Sequence, residues 1–142
     1  MDTLGRHLIV DLWECNPDLI STSETLKQLM VEAALHSGAD IREVIFHQFE
    51  PVGVSGVVVI SESHLSVHSF PEHRYVSLDV YTCGGMNPHV SMSFLKDRLG
   101  AGRYECIEVI RGDGTLRVES EQPVVLERLD HEHVEPTSPY LF

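Results

Sequence analysis

The sequence predicts an α+β domain built as a two-layer α/β sandwich, with an antiparallel or mixed sheet carrying two helices on one face. Three observations lead there. β-rich runs outnumber helical ones and come in the order β-α-β-β-β-β-α-β. Each of the two helical stretches has its own start and stop signals. The run 75–83 alternates cleanly, with Val76, Leu78, Val80 and Thr82 on one side and Tyr75, Ser77, Asp79, Tyr81 and Cys83 on the other. The first set suits packing under helices. The second is too polar for a dry core and too regular for a loop, so it suits water, a ligand or a second copy of the sheet.

The elements follow in order. Leu4 to Cys15 contains the apolar run His7 to Leu12 and reads as the first strand. Ser21-Thr22-Ser23-Glu24 has the form of a capping box, with Ser21 at the cap. Behind it Leu26, Leu29, Met30, Ala33 and Ala34 recur at helical spacing until Gly38, giving a helix over about 21–37. Arg42 to Phe49 and Val54 to Ile60 are strands separated by the turn Glu50-Pro51-Val52-Gly53. His64 to Phe70 and Tyr75 to Thr82 are two more, split by Pro71-Glu72-His73-Arg74. Asn87-Pro88 opens the second helix, which ends at Gly100 or Gly102. Arg103 to Ile110 is a further strand, and Gly112-Asp113-Gly114 turns toward a short edge hairpin at Leu116 to Val118. From Glu119 to Glu135 the chain carries six acidic residues and one arginine, so 119–142 reads as a loosely attached acidic tail.

Composition narrows the function. With 142 residues, 42% hydrophobic and 23% charged, the chain reads as one soluble domain large enough for a real core. No apolar run approaches the roughly 20 residues of a membrane span, and no secretory signal opens the chain, so a cytoplasmic protein without a membrane partner is expected. The net charge of −12 repels phosphate backbones and argues against nucleic acid. It is compatible with a small cationic substrate. Cys15, Cys83 and Cys106 are scattered and odd in number, which suits neither a disulfide framework nor a Cys-x-x-Cys zinc site.

The chemistry concentrates in Glu62-Ser63-His64-Leu65-Ser66-Val67-His68, with Cys83 further on. A hydroxyl at Ser63 directly follows a carbonyl it can attack. Attack on the Glu62 carbonyl through a five-membered ring gives an ester, and loss of the Ser63 α-proton then expels the Glu62 carboxylate. The dehydroalanine left behind hydrolyses to a pyruvoyl group and ammonia. Such a sequence needs a donor for the oxyanion and a base for the proton, and Ser55 and His68 have the right chemistry. A pyruvoyl carbonyl forms a Schiff base with an amine and draws electrons from its α-carbon, so carbon dioxide can leave. Cys83 is a candidate donor of the proton that replaces it.

With its flanks, Ser55-Gly56 through Ile60-Ser61-Glu62-Ser63-His64 and His68-Ser69-Phe70-Pro71-Glu72, this segment resembles the processing site of the small bacterial and archaeal S-adenosylmethionine decarboxylases. The resemblance covers roughly residues 4–84, and its motifs at 53–72 and 80–84 are long. It implies self-cleavage at Glu62-Ser63 into 1–62 and 63–142, with Ser63 the precursor of a covalent pyruvoyl cofactor. It further implies His68 as processing base, Ser55 as processing donor and Cys83 as catalytic proton donor. Phe49 and Phe70 would stack the adenine ring and Glu72 would bind the ribose hydroxyls. The product would be the aminopropyl donor of spermidine and polyamine synthesis. The resemblance also implies a homodimer packed sheet to sheet, each active site drawing on both protomers. Two departures stand out: position 70 is usually tryptophan in that family, and the chain beyond about Arg111 does not follow the common tail.

Two rivals remain open at this stage. Relatives that decarboxylate arginine or ornithine share the processing motif, and a non-catalytic homologue need not cut itself at all. A Ser-His pair on a strand is often only structural, a lone Cys83 is often core, and Phe49 and Phe70 can be core aromatics. Glu72 can be an ordinary solvated carboxylate. His64 and His68 share a strand face, but no third ligand has a convincing spacing, so no metal is expected. His131 and His133 sit among acids in the tail. His7, His36, His47 and His89 carry no usable signal, and Cys15 and Cys106 read as core.

Overall fold

The computed structural model describes residues 3–122. Seven strands form one sheet: β1 (Gly5–Trp13), β2 (Asp40–Gln48), β3 (Val54–Ser61), β4 (Ser63–Phe70), β5 (Tyr75–Cys83), β6 (Arg103–Arg111) and β7 (Arg117–Gln122). Their order across the sheet is β2-β3-β4-β5-β1-β6-β7. Every pairing is antiparallel, so the antiparallel form of the expectation holds. β1 slots between β5 and β6, and the first strand in sequence becomes an interior strand of the sheet.

The helices are α1 (Pro17–Ile20), α2 (Ser23–His36) and α3 (Pro88–Arg98). The cap of α2 is Thr22 rather than Ser21, its hydroxyl accepting from the Thr25 N–H. Ser21 belongs instead to the preceding one-turn α1, where its hydroxyl donates to the Pro17 carbonyl oxygen at 2.5 Å. α1 itself, capped by Asn16 with proline in its first turn, is too short to show a hydrophobic period. Asn87 caps α3 as the sequence predicts.

α2 and α3 cover one face. Leu26, Met30, Ala33, Ala34 and Leu95 meet Leu8, Val10, Leu12, Val58, Leu65, Val67, Val76 and Val80, all but fully buried. This is the apolar half of each strand's alternation, and it supplies the hydrophobic drive for the fold. Cys15 and Cys106 lie in this core. Burial, with the Glu108 carboxylate adding to it, pushes the Cys106 thiol up to about 11. Among the described residues no helix covers the opposite face, and its exposed apolar residues include Ile9, Ile45 and Ile107. Residues 119–122 of the acidic tail belong to β7; the remainder, 123–142, lies outside the described residues. Among the described residues no helix is long and apolar enough to cross a membrane.

Candidate active site

Ser63 opens β4 directly after a tight connection. Ile60 pairs with Ser63, so Ser61 and Glu62 alone turn the chain from β3 to β4. The bond between Glu62 and Ser63 thus sits at the tip of a hairpin. Ser63 has φ 113°, a backbone region that costs an L-residue about 1–3 kcal/mol. That strain sits on the residue whose hydroxyl would attack.

Cys83 ends β5 beside this tip, and the chain turns away through Gly84 at φ 76°. Its Sγ lies 3.3 Å from Ser63 Oγ. Its backbone N–H donates to the Glu62 carbonyl oxygen at 3.3 Å. One residue therefore presents an amide to the Glu62 carbonyl and a thiol to the Ser63 hydroxyl. The structure thus brings together Ser63 and Cys83, two residues the sequence singled out. The amide was invisible in the sequence, because a backbone donor leaves no mark in the residue types.

Ser55 and His68 face each other across β3 and β4 on the helix-free side, the Ser55 hydroxyl 2.7 Å from His68 Nδ1. They line a shallow pocket with Ile45, His47, Val57 and Ser66. They are not near Ser63 in the same chain. Five residue steps of extended strand carry the chain from Ser63 to His68, about 17 Å at the usual rise.

The expected substrate residues gather at the Ser55–His68 end. Phe49 leaves β2 at 46% exposure, and Phe70 closes β4 at 41%, so neither is a core aromatic. The Phe49 N–H donates to the Gly53 carbonyl oxygen, closing the 49–53 turn. Gln48 fastens that turn to α2: its amide donates to the Ser21 and Gly53 carbonyl oxygens and accepts from the Ser23 N–H. Phe70 stacks on Tyr75 at 5.4 Å, and Tyr75 stacks on Trp13 at 4.2 Å. The Tyr75 hydroxyl donates to Asp11 at 2.5 Å; burial first, and that carboxylate second, push Tyr75 up to about 12. Glu72 stands exposed in a single 3-10 turn, Pro71–His73, just beyond Phe70.

Between the two ends lies a polar group that the sequence did not single out. Asp79 accepts from His7 Nε2 at 2.5 Å, from His64 Nε2 at 3.0 Å and from the Ser66 hydroxyl. Burial opposes its ionisation, yet bonds from His7, Ser66 and His64 outweigh it and hold the carboxyl down at about 2. Asp79 had been placed on the polar face of β5, but nothing local marked it out from Ser77. Its histidine partners come from β1 and from β4, and only the sheet order brings them together. The ligand-type atoms of His7, His64 and Asp79 lie within 4.8 Å of one another, a grouping that leaves out His68, the residue the sequence had paired with His64.

The sequence profile of the S-adenosylmethionine decarboxylase family matches residues 6–112. The chain is 53% identical over 118 residues to an S-adenosylmethionine decarboxylase proenzyme of Anoxybacillus flavithermus, covering 83% of this chain and 95% of that one. To the proenzyme of Bacillus velezensis it is 51% identical over 126 residues, covering 89% and 100%. The crystal structure of the adenosylmethionine decarboxylase of Aquifex aeolicus superposes with a TM-score of 0.71 at 30% identity, covering 86% of this chain and all of that one. A Trypanosoma brucei AdoMetDC monomer shares the fold at 14% identity, with a TM-score of 0.58 over 77% of this chain and 47% of that one.

Proposed function

Because the chain belongs to the S-adenosylmethionine decarboxylase family, we propose that it cuts itself between Glu62 and Ser63 and works with the pyruvoyl group left on Ser63. Its activity is pyruvoyl-dependent decarboxylation of S-adenosylmethionine, a carboxy-lyase reaction. The cut yields chains 1–62 and 63–142.

The observation that carries the site assignment is the double contact of Cys83 with the Glu62–Ser63 tip. A hydroxyl, a strained α-carbon and a polarised carbonyl suit the formation of a pyruvoyl end at this residue. In the processing step the Ser63 hydroxyl adds to the Glu62 carbonyl, whose oxygen already receives the Cys83 N–H, and the C–N bond breaks to leave an ester. Removal of the Ser63 α-proton then breaks the ester's Cβ–O bond and releases the Glu62 carboxylate. Once formed, the pyruvoyl group acts as an electron sink on the substrate's amine. The 3.3 Å contact of Cys83 with the Ser63 side chain supports its role as the donor that returns a proton to the substrate's α-carbon. Phe49 and Phe70 offer two exposed aromatic faces for the adenine, and Glu72 a carboxylate for the ribose hydroxyls.

His68 as processing base and Ser55 as its donor require a second protomer, since about 17 Å of strand separates them from Ser63 within one. The helix-free face supports such a pairing. A two-fold axis that exchanges the ends of β4 must cross it midway between Ser63 and His68, running across the strands. The register puts Ile45, Val57, Ser66, Asp79, Ile9 and Ile107 on that line. Ile45, Ile9 and Ile107 are 57%, 50% and 38% exposed, so three bulky apolar side chains lie where each would meet its own copy. We read the protein as a homodimer with two shared active sites, cytoplasmic, and with neither nucleic acid nor membrane as partner.

The test is denaturing intact mass after incubation with S-adenosylmethionine and a mild imine reductant. A break at Glu62–Ser63 with a reduced adduct on the 63–142 fragment is expected. An uncut, unmodified chain overturns the reading.

A further inference from the structure

The polar group at the centre of the open face has no part in the chemistry above. Its protons can be placed by elimination. Arg111 Nη1 lies 3.1 Å from His7 Nδ1, and a guanidinium only donates. His7 Nδ1 is therefore an acceptor, and the ring's proton sits on Nε2, aimed at Asp79. A metal bound at His7 Nε2 would have to displace that proton, so the geometry favours a hydrogen-bond network over an ion. Arg111 also lies over the Tyr81 ring at 4.3 Å, and Tyr81 packs against both imidazoles at 5.0 and 5.8 Å. Gly5 lets Tyr81 lie there, because a β-carbon at that position would come within 2.5 Å of the ring.

The network ends on His64, and His64 is the residue that carries the reactive group. Residue 63 stays joined to the His64 nitrogen after the cut. In the uncut chain Ser63 is held on both sides. Cleavage removes the Glu62 side, and a fresh strand terminus frays unless something ties it down. The first side-chain tie after the new end is His64 to Asp79, followed by Ser66 to the same carboxylate.

We propose that Asp79 is a positioning residue: through His64 it clamps the new N-terminus of the cleaved chain, so that the pyruvoyl carbonyl stays beside the Cys83 thiol. The clamp rests on the self-cleavage reading above and deepens it. It acts after the cut, so self-cleavage and turnover separate in its absence. Misplacement of a reacting group by about 1 Å costs on the order of a hundredfold in rate. Binding of the substrate's adenosine end at Phe49 and Phe70 does not pass through Asp79.

The experiment compares full-length Asp79→Leu, Asp79→Asn, His64→Leu and the double variant Asp79→Leu/His64→Leu with the wild-type protein. Cleavage is read by intact mass, and kcat and KM by release of carbon dioxide from S-adenosylmethionine. Complete cleavage is expected throughout, which itself reports an assembled processing site. For Asp79→Leu, kcat should fall roughly 10- to 100-fold with KM within about twofold. Asp79→Asn, which keeps an oxygen acceptor, should recover most of that loss. The double variant should be no worse than the worse single one, because both remove the same bond. An Asp79→Leu protein with wild-type kcat, or one that folds but no longer cuts itself, overturns the clamp. If Asp79→Leu does not fold, His64→Leu reads the same bond, and its normal kcat overturns the proposal equally. A wild-type protein that neither cuts nor decarboxylates brings down the function reading itself, which separates the two failures.

Discussion

Mixing two impaired variants tests the proposed sharing of the active site most directly. Ser63→Ala removes the residue proposed to be cut, and His68→Ala removes the proposed processing base. A general base typically contributes 10²–10⁴-fold, or about 3–5 kcal/mol at 1.4 kcal/mol per tenfold, so His68→Ala alone should cut slowly and Ser63→Ala not at all. Hydrogen-bond reach is about 3 Å, whereas His68 stands about 17 Å along β4 from Ser63 in its own chain. If the base acts across the interface, a mixed dimer has one complete site, with Ser63 from the His68→Ala chain and His68 from the Ser63→Ala chain. Random assembly after equal co-expression gives dimers in about a 1:2:1 ratio. About half of the His68→Ala chains should then be cut at the normal rate, and no Ser63→Ala chain should be. Intact mass separates all four species. An uncut His68→Ala chain in demonstrated mixed dimers refutes the reasoning, as does fast cutting by His68→Ala alone.

Three further outcomes follow from the same structure. Asp79 is held at about 2, below its ordinary value of 3.8. The unfolded chain therefore binds a proton that the folded one refuses, so stability rises with pH across that window and is lost as pH falls through about 2. After discounting for partial exposure this is worth about 1–2 kcal/mol, and urea midpoints should show Asp79→Asn losing that part of the acid dependence. Tyr75 is one of four tyrosines and should ionise near pH 12; tyrosinate absorbance should show Asp11→Asn titrating earlier, with the associated stability present below pH 10 and lost as pH rises through 12. Gly56→Ala would put a β-carbon 2.2 Å from the Phe46 ring, so it should cost about 1–3 kcal/mol in thermal unfolding and slow cleavage through the neighbouring Ser55. An unchanged melting temperature would falsify that close approach.

Much of the fold was legible in the chain. The strand runs, the 75–83 alternation and the Asn87-Pro88 cap are local signals, and local signals survive folding when the core agrees with them. One boundary moved because a neighbouring turn competed for the same residue: Thr22 took the cap from Ser21 because Ser21 ends α1. Of the candidate site, Ser63 with Cys83 and Ser55 with His68 came from residue types and motif, and the structure joins each pair by contact. It also separates the pairs, because Ser63 and His68 lie at opposite ends of one extended strand.

The sequence by itself determined which side chains exist at the Glu62–Ser63 bond and which face of each strand is apolar, because chemistry and alternation are properties of the chain. Only the tertiary structure decided that β1 enters between β5 and β6, bringing His7 to Asp79 and His64. Only it could place the Cys83 N–H on the Glu62 carbonyl, because strand pairing is set by the total burial of the sheet and not by any one stretch of residues.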